Sequence, residues 1–102
     1  MTEDVSLSSD EMRIIGECLA AAVEGPYFPD WEFRTLFGLG RAEVAGVLRS
    51  WPTAPGEDET ADLAVNNALL NLASYPHGED LGRFVSATPE RLLEILAKWK
   101  RK

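Results

Sequence analysis

The sequence predicts an all-α fold: a compact bundle of about six helices, built as two pseudo-repeated three-helix units that share one core. Three observations carry this. Apolar residues recur at helical spacing along the chain, and no stretch alternates with the two-residue rhythm and β-branched enrichment of a strand. Capping residues and Gly/Pro breaks bracket each apolar stretch. The pattern of residues 33–51 also returns, much diverged, 48 positions later in residues 81–99.

The first helix opens at Ser8. Its hydroxyl can cap the backbone while Glu11, three residues on, reaches back to complete a capping box, with Leu7 and Met12 in the staple positions. Ile14, Ile15, Cys18, Leu19, Ala22 and Val23 follow at helical spacing, and Gly25-Pro26 ends the helix. A dense aromatic loop comes next, Pro26-Tyr27-Phe28-Pro29-Asp30-Trp31, in which Asp30 is placed to cap a short second helix from Trp31 to Phe37. Phe33, Leu36 and Phe37 are spaced to face inward. Gly38 suits a left-handed stop, and Gly40 the cap of a third helix running from Arg41 to about Trp51. Gly46 inside that helix costs about 1 kcal/mol against alanine, so the sequence predicts a close backbone approach there.

Residues 52–56 (Pro52-Thr53-Ala54-Pro55-Gly56) read as the linker between halves 8–51 and 57–100 of a single domain, 1–102. Glu57, Asp58 and Glu59 put negative charge at the start of a fourth helix reaching about Ser74. Its leucines spread around most of its circumference, which predicts a central position. A short helix is expected over 79–85. Thr88-Pro89-Glu90 then starts the last one, with Leu92, Leu93, Ile95, Leu96 and Trp99 on its apolar side. At the 48-residue offset Val44 meets Leu92, Val47 meets Ile95 and Trp51 meets Trp99, but Leu19 falls on Asn67 and Val23 on Asn71.

Composition narrows the function classes. The chain has 102 residues, a formal charge of −7 and a pI near 4.6, which speaks against a constitutive nucleic-acid binder or an anionic membrane surface. The charge is uneven, −9 over residues 1–62 and +2 over 63–102, so a basic partner would favour the first half. The lone Cys18, the absence of metal-type Cys/His spacing and the lack of a leader or spanning pattern give the expectation of a cytoplasmic protein with neither metal nor cofactor.

Two candidate sites emerge. Glu24, Tyr27, Phe28, Asp30, Trp31 and Glu32 set aromatics among acids, the composition of a binding anchor in a charged rim; the alternative is that the rings close the core. Asn67 and Asn71, one turn apart on an apolar helix, form with Tyr75 and His77 a candidate polar pocket; alternatively the amides satisfy loop backbone. No serine elbow, phosphate loop or Cys/His pair is present, and catalysis is not expected.

Residues 33–51 also resemble a helix-turn-helix, with Phe37, Gly38, Leu39, Val44 and Leu48 at its apolar and turn positions; 85–89 is a weaker match. The resemblance implies a third helix that presents Arg41, Glu43, Ala45, Arg49 and Ser50 to a DNA groove. The leading expectation is a small acidic protein–protein interaction module that binds or neutralises a basic partner, as small acidic immunity or antitoxin proteins do. That comparison is by class, with no shared motif. The alternative is a diverged helix-turn-helix protein in transcriptional control.

Overall fold

The structure is a computed structural model and describes residues 7–24, 28–52, 58–74 and 84–100. Five α-helices account for most of them: α1 (Ser9–Glu24), α2 (Asp30–Phe37), α3 (Arg41–Ser50), α4 (Glu59–Ser74) and α5 (Pro89–Lys100). No strand occurs among the described residues. The radius of gyration, 12.8 Å, is that of a compact globule of this length, about 13 Å. The expected helix over 79–85 lies mostly outside the described residues; at its end Phe84 is in a turn and Val85 has no helical assignment.

The local starts and stops form as their chemistry requires. Ser8 N–H donates to Glu11 Oε1 at 2.9 Å and Glu11 N–H to Ser8 Oγ at 3.0 Å, closing the capping box of α1. Gly38 ends α2 at φ 71°, a left-handed conformation that strains any residue with a Cβ, and donates its N–H to Arg34 O. Glu43 Oε1 accepts from Gly40 N–H at 2.7 Å at the start of α3, and Arg91 N–H donates to Thr88 Oγ1 at 3.1 Å at the start of α5. Asp58 Oδ1 accepts from Thr60 N–H at 2.9 Å ahead of α4.

α4 packs against each of the other four helices, so the helix with apolar residues on most sides is the central one. Leu63 and Leu70 correct that picture in part, because they lie on its outward side, 40% and 41% exposed. Against the inner side sit Ile15, Leu19 and Phe37 with Val65, Leu69 and Leu72, all in one buried core that also takes in Leu92 and Ile95. α1 and α4 are both 16 residues long. Six of the seven buried positions of α1 recur fifty residues on: 11, 14, 15, 18, 19 and 22 in α1, then 61, 64, 65, 68, 69 and 72 in α4; the seventh, Ala21, falls on half-buried Asn71.

The close approach expected at Gly46 is not there. Among the described residues, a Cβ at Gly46 would meet only Arg49 Nη2 at 3.7 Å, ordinary contact. A Cβ at Gly16 would stand 3.0 Å from Trp51 Cδ1, and one at Gly40 2.8 Å from Arg34 Nη2, the far end of an exposed and flexible side chain. Trp51 cannot easily yield, since its Nε1–H donates to Met12 O at 2.9 Å and its ring lies 6.0 Å from that of Trp99.

Candidate functional site

The aromatic–acidic segment divides between core and surface. Phe28 is buried, with its ring edge-on to Phe33 at 6.4 Å and to Phe37 at 5.3 Å. Phe33 and Phe37, one helical turn apart, stack at 4.4 Å with planes 7° from parallel. Trp31 sits on the opposite side of α2 and is 79% exposed. Glu24 and Asp30 are exposed and Glu32 is half-exposed beside it. Tyr27 lies outside the described residues.

Arg41 holds this arrangement together. Its Nη1 donates to Ala22 O at 3.1 Å and to Val23 O at 2.8 Å, which caps carbonyls in the last turn of α1. Its Nη2 donates to Phe28 O, its Nε to Asp30 Oδ1 at 2.9 Å, and its guanidinium carbon stands 4.5 Å over the Phe33 ring. One planar fork thus ties α1, the loop and α2 to the first residue of α3. Two expectations are corrected here. Arg41 is not an outward-facing residue of α3, because its donors are taken up by carbonyls and a carboxylate within the fold. Asp30 does not cap α2; Pro29 holds the cap position, and the Asp30 carboxylate turns to Arg41 instead. The sequence did carry a signal: a cation in the first turn of a helix opposes the helix dipole and so calls for another explanation.

The asparagines are engaged with backbone. Asn67 Nδ2 donates to Phe37 O at 2.8 Å, and Asn71 Nδ2 donates to Leu36 O at 3.1 Å and to Asn67 O at 2.8 Å. They satisfy carbonyls at the end of α2. Tyr75 and His77 lie outside the described residues.

A second polar knot joins α1 to α5. The Glu11 side chain is only 2% exposed; its Oε2 accepts from Lys98 Nζ at 2.7 Å and pairs with an Arg91 guanidinium nitrogen at 3.2 Å. Burial pushes this carboxyl up. The Lys98 hydrogen bond, the Ser8 N–H and the positive charges of Lys98 and Arg91 outweigh that and hold it below its ordinary value. Lys98 therefore serves a long-range pair as well as the negative end of its own helix. Glu17, two turns further along α1 from Asp10, accepts from Ser86 N–H at 2.7 Å and from Ser86 Oγ at 3.1 Å.

Other features offer little chemistry. Burial pushes the Cys18 thiol up to about 12, with the Glu17 charge adding to it, so the thiolate is suppressed. A cleft of about 260 Å³ between α3 and the start of α4 is lined by Glu43, Ser50, Asp58 and Thr60 among others. An apolar groove of about 370 Å³ is lined by Ser9, Met12, Arg13, Trp51 and Pro52. Among the described residues, no group of three or more His, Cys, Asp or Glu is arranged to hold a metal, and no helix is long and apolar enough to cross a membrane.

Fold and site together define an all-α globule that holds a tryptophan out to solvent on a braced helix. Scans against protein-family models, curated proteins and solved structures found no match to this chain.

Proposed function

We propose that the chain is a small, acidic, non-catalytic protein–protein interaction module, acting from the cytoplasm, that binds or neutralises a basic partner through Trp31. The exposure of Trp31, 79%, is the observation that carries the reading. A large ring left in water on a helix locked by Arg41 and the Phe28–Phe33–Phe37 cluster is preorganised, so little ordering cost falls on binding. The carboxylates of Glu24, Asp30 and Glu32 outnumber the exposed cation of α2, Arg34, and steer a cationic partner toward Trp31. Basic proteins retained from a lysate at low salt are to be purified and titrated against wild-type and Trp31→Ala chains. Trp31→Ala is expected to weaken the complex by about 30-fold with unchanged helicity. An affinity unaffected by Trp31→Ala, for every partner recovered, refutes the proposal.

The proposal takes the chain as one domain of two pseudo-repeated halves. The fifty-residue agreement between buried positions of α1 and α4 supports this, as does the 48-residue agreement of Val44, Val47 and Trp51 with Leu92, Ile95 and Trp99. The two registers differ by two residues, the amount by which the α1–α3 connection exceeds the α4–α5 connection. Bonding is also reciprocal. Glu17 of α1 holds the turn before α5, and Asn67, fifty positions on in α4, holds the turn before α3. Trp51 and Trp99 touch, as equivalent residues near a pseudo-two-fold axis do. On this reading the shared scaffold is structural, and function belongs to what the halves do not share: Trp31 and the acidic charge of the first half.

The corner formed by α2, left-handed Gly38 and α3 favours a second reading, a diverged helix-turn-helix in transcriptional control. It is the weaker one, because Arg41 is spent inside the fold and Arg49 is left on α3 with Glu43. DNA affinity that falls steeply with salt in a filter-binding assay would reverse the order.

A further inference from the structure

We infer that the outward face of α4 is a self-association surface, and that its occupant is α4 of a second copy of this chain, running antiparallel across a two-fold axis. The inference is independent of the Trp31 surface.

Charge selects the occupant. From Leu63 to Ser74 α4 contains no charged residue, in a chain of which 26% is Asp, Glu, Lys or Arg. Leu63 and Leu70 lie seven positions apart on this face, about 10 Å along the helix, and are 40% and 41% exposed. A basic partner gains nothing from such a strip. A second copy, itself carrying −7, can dock here without setting like charges against each other.

The polar group on the strip is also self-complementary. Asn66 stands between the two leucines and donates one N–H to Asn67 Oδ1 at 3.1 Å. Its other N–H and its carbonyl oxygen have no partner among the described residues. Such an amide offers one donor and one acceptor, and across a two-fold axis it can pair with its own copy, which a carboxylate or an ammonium cannot do. With the axis between positions 66 and 67, Leu63 of each copy meets Leu70 of the other. The α2 contacts made by Asn67 and Asn71 stay intact.

Sedimentation equilibrium of the full chain, up to about 1 mM, tests this. The wild type is expected to approach twice its 11.3 kDa as concentration rises. Added salt should strengthen association by screening the like net charges, the reverse of its effect on binding to a basic partner. Leu70→Glu, counted twice in an isologous contact, should weaken the dimer about a hundredfold with unchanged circular dichroism. Asn66→Asp should weaken it by a similar factor, and Trp31→Ala should not. A wild type that stays monomeric throughout overturns the inference, whether or not another protein binds this face. So does a dimer indifferent to both Leu70→Glu and Asn66→Asp.

Discussion

Arg41→Lys keeps the positive charge and removes the planar fork, so it isolates what the guanidinium does for the fold. Arg41 donates to three carbonyls, those of Ala22, Val23 and Phe28, and covers the Phe33 ring. A lysine ammonium, a compact charge on a differently shaped stem, can keep one of those carbonyls and leaves two without a donor. Each carbonyl so orphaned costs about 1 kcal/mol here, the low end of the range, since the Arg41 side chain is 28% exposed and water can reach part of the site. The total is about 2 kcal/mol, or a melting midpoint lowered by about 10 °C for a domain of this size. The ion pair itself contributes little, because the Asp30 side chain is 90% exposed; Asp30→Asn should cost less than about 0.5 kcal/mol. Thermal and urea unfolding followed by circular dichroism gives both values. Equal, small losses for Arg41→Lys and Asp30→Asn would refute the reasoning and leave the junction of α1, α2 and α3 held by apolar packing alone.

Glu11 should confer a pH dependence on stability. Its folded pKa lies below the unfolded value near 4.5, so the contribution is fully present above that value and is lost as pH falls through the folded pKa. Glu11→Gln should therefore cost about 1 kcal/mol at neutral pH, a cost that shrinks below about pH 4.5 in urea titrations; a pH-independent difference would count against it. The glycines should respond in opposite directions. Gly46→Ala has room and should stabilise by about 0.5–1 kcal/mol, whereas Gly16→Ala drives a Cβ into a pinned Trp51 and should destabilise. Asn67→Leu removes the donor to Phe37 O and should lower stability by about 1–2 kcal/mol, most visibly as faster amide exchange at the α2–α3 turn.

What could be read in advance was local. The Ser8–Glu11 box, the Gly38 stop and the Thr88 cap each involve groups three or four residues apart, and that spacing is present in the chain itself. The partners of Arg41 come from three other segments, and Glu11 meets residues 80 and more positions away, so no spacing rule could expose them. Phe28 and Trp31 differ little as residue types. What separates them is that one precedes α2 beneath the Phe33 and Phe37 rings and the other faces away. At the spacing of fifty that matches most buried positions of α1 and α4, Asn67 falls on Glu17, whereas Asn71 still falls on apolar Ala21, so no single offset sorts both amides.

The three tryptophans stand in two optical environments. Trp31 is surrounded by solvent, so it emits like the free indole and is open to collisional quenchers. Trp51 and Trp99 face each other at 6.0 Å, close enough for their transitions to couple, and Trp99 is almost wholly shielded. A ligand that covers α2 changes the emission of the first and leaves the pair alone. Loss of the fold abolishes the coupling while altering Trp31 little. One unlabelled sample thus reports occupancy and integrity on separate channels.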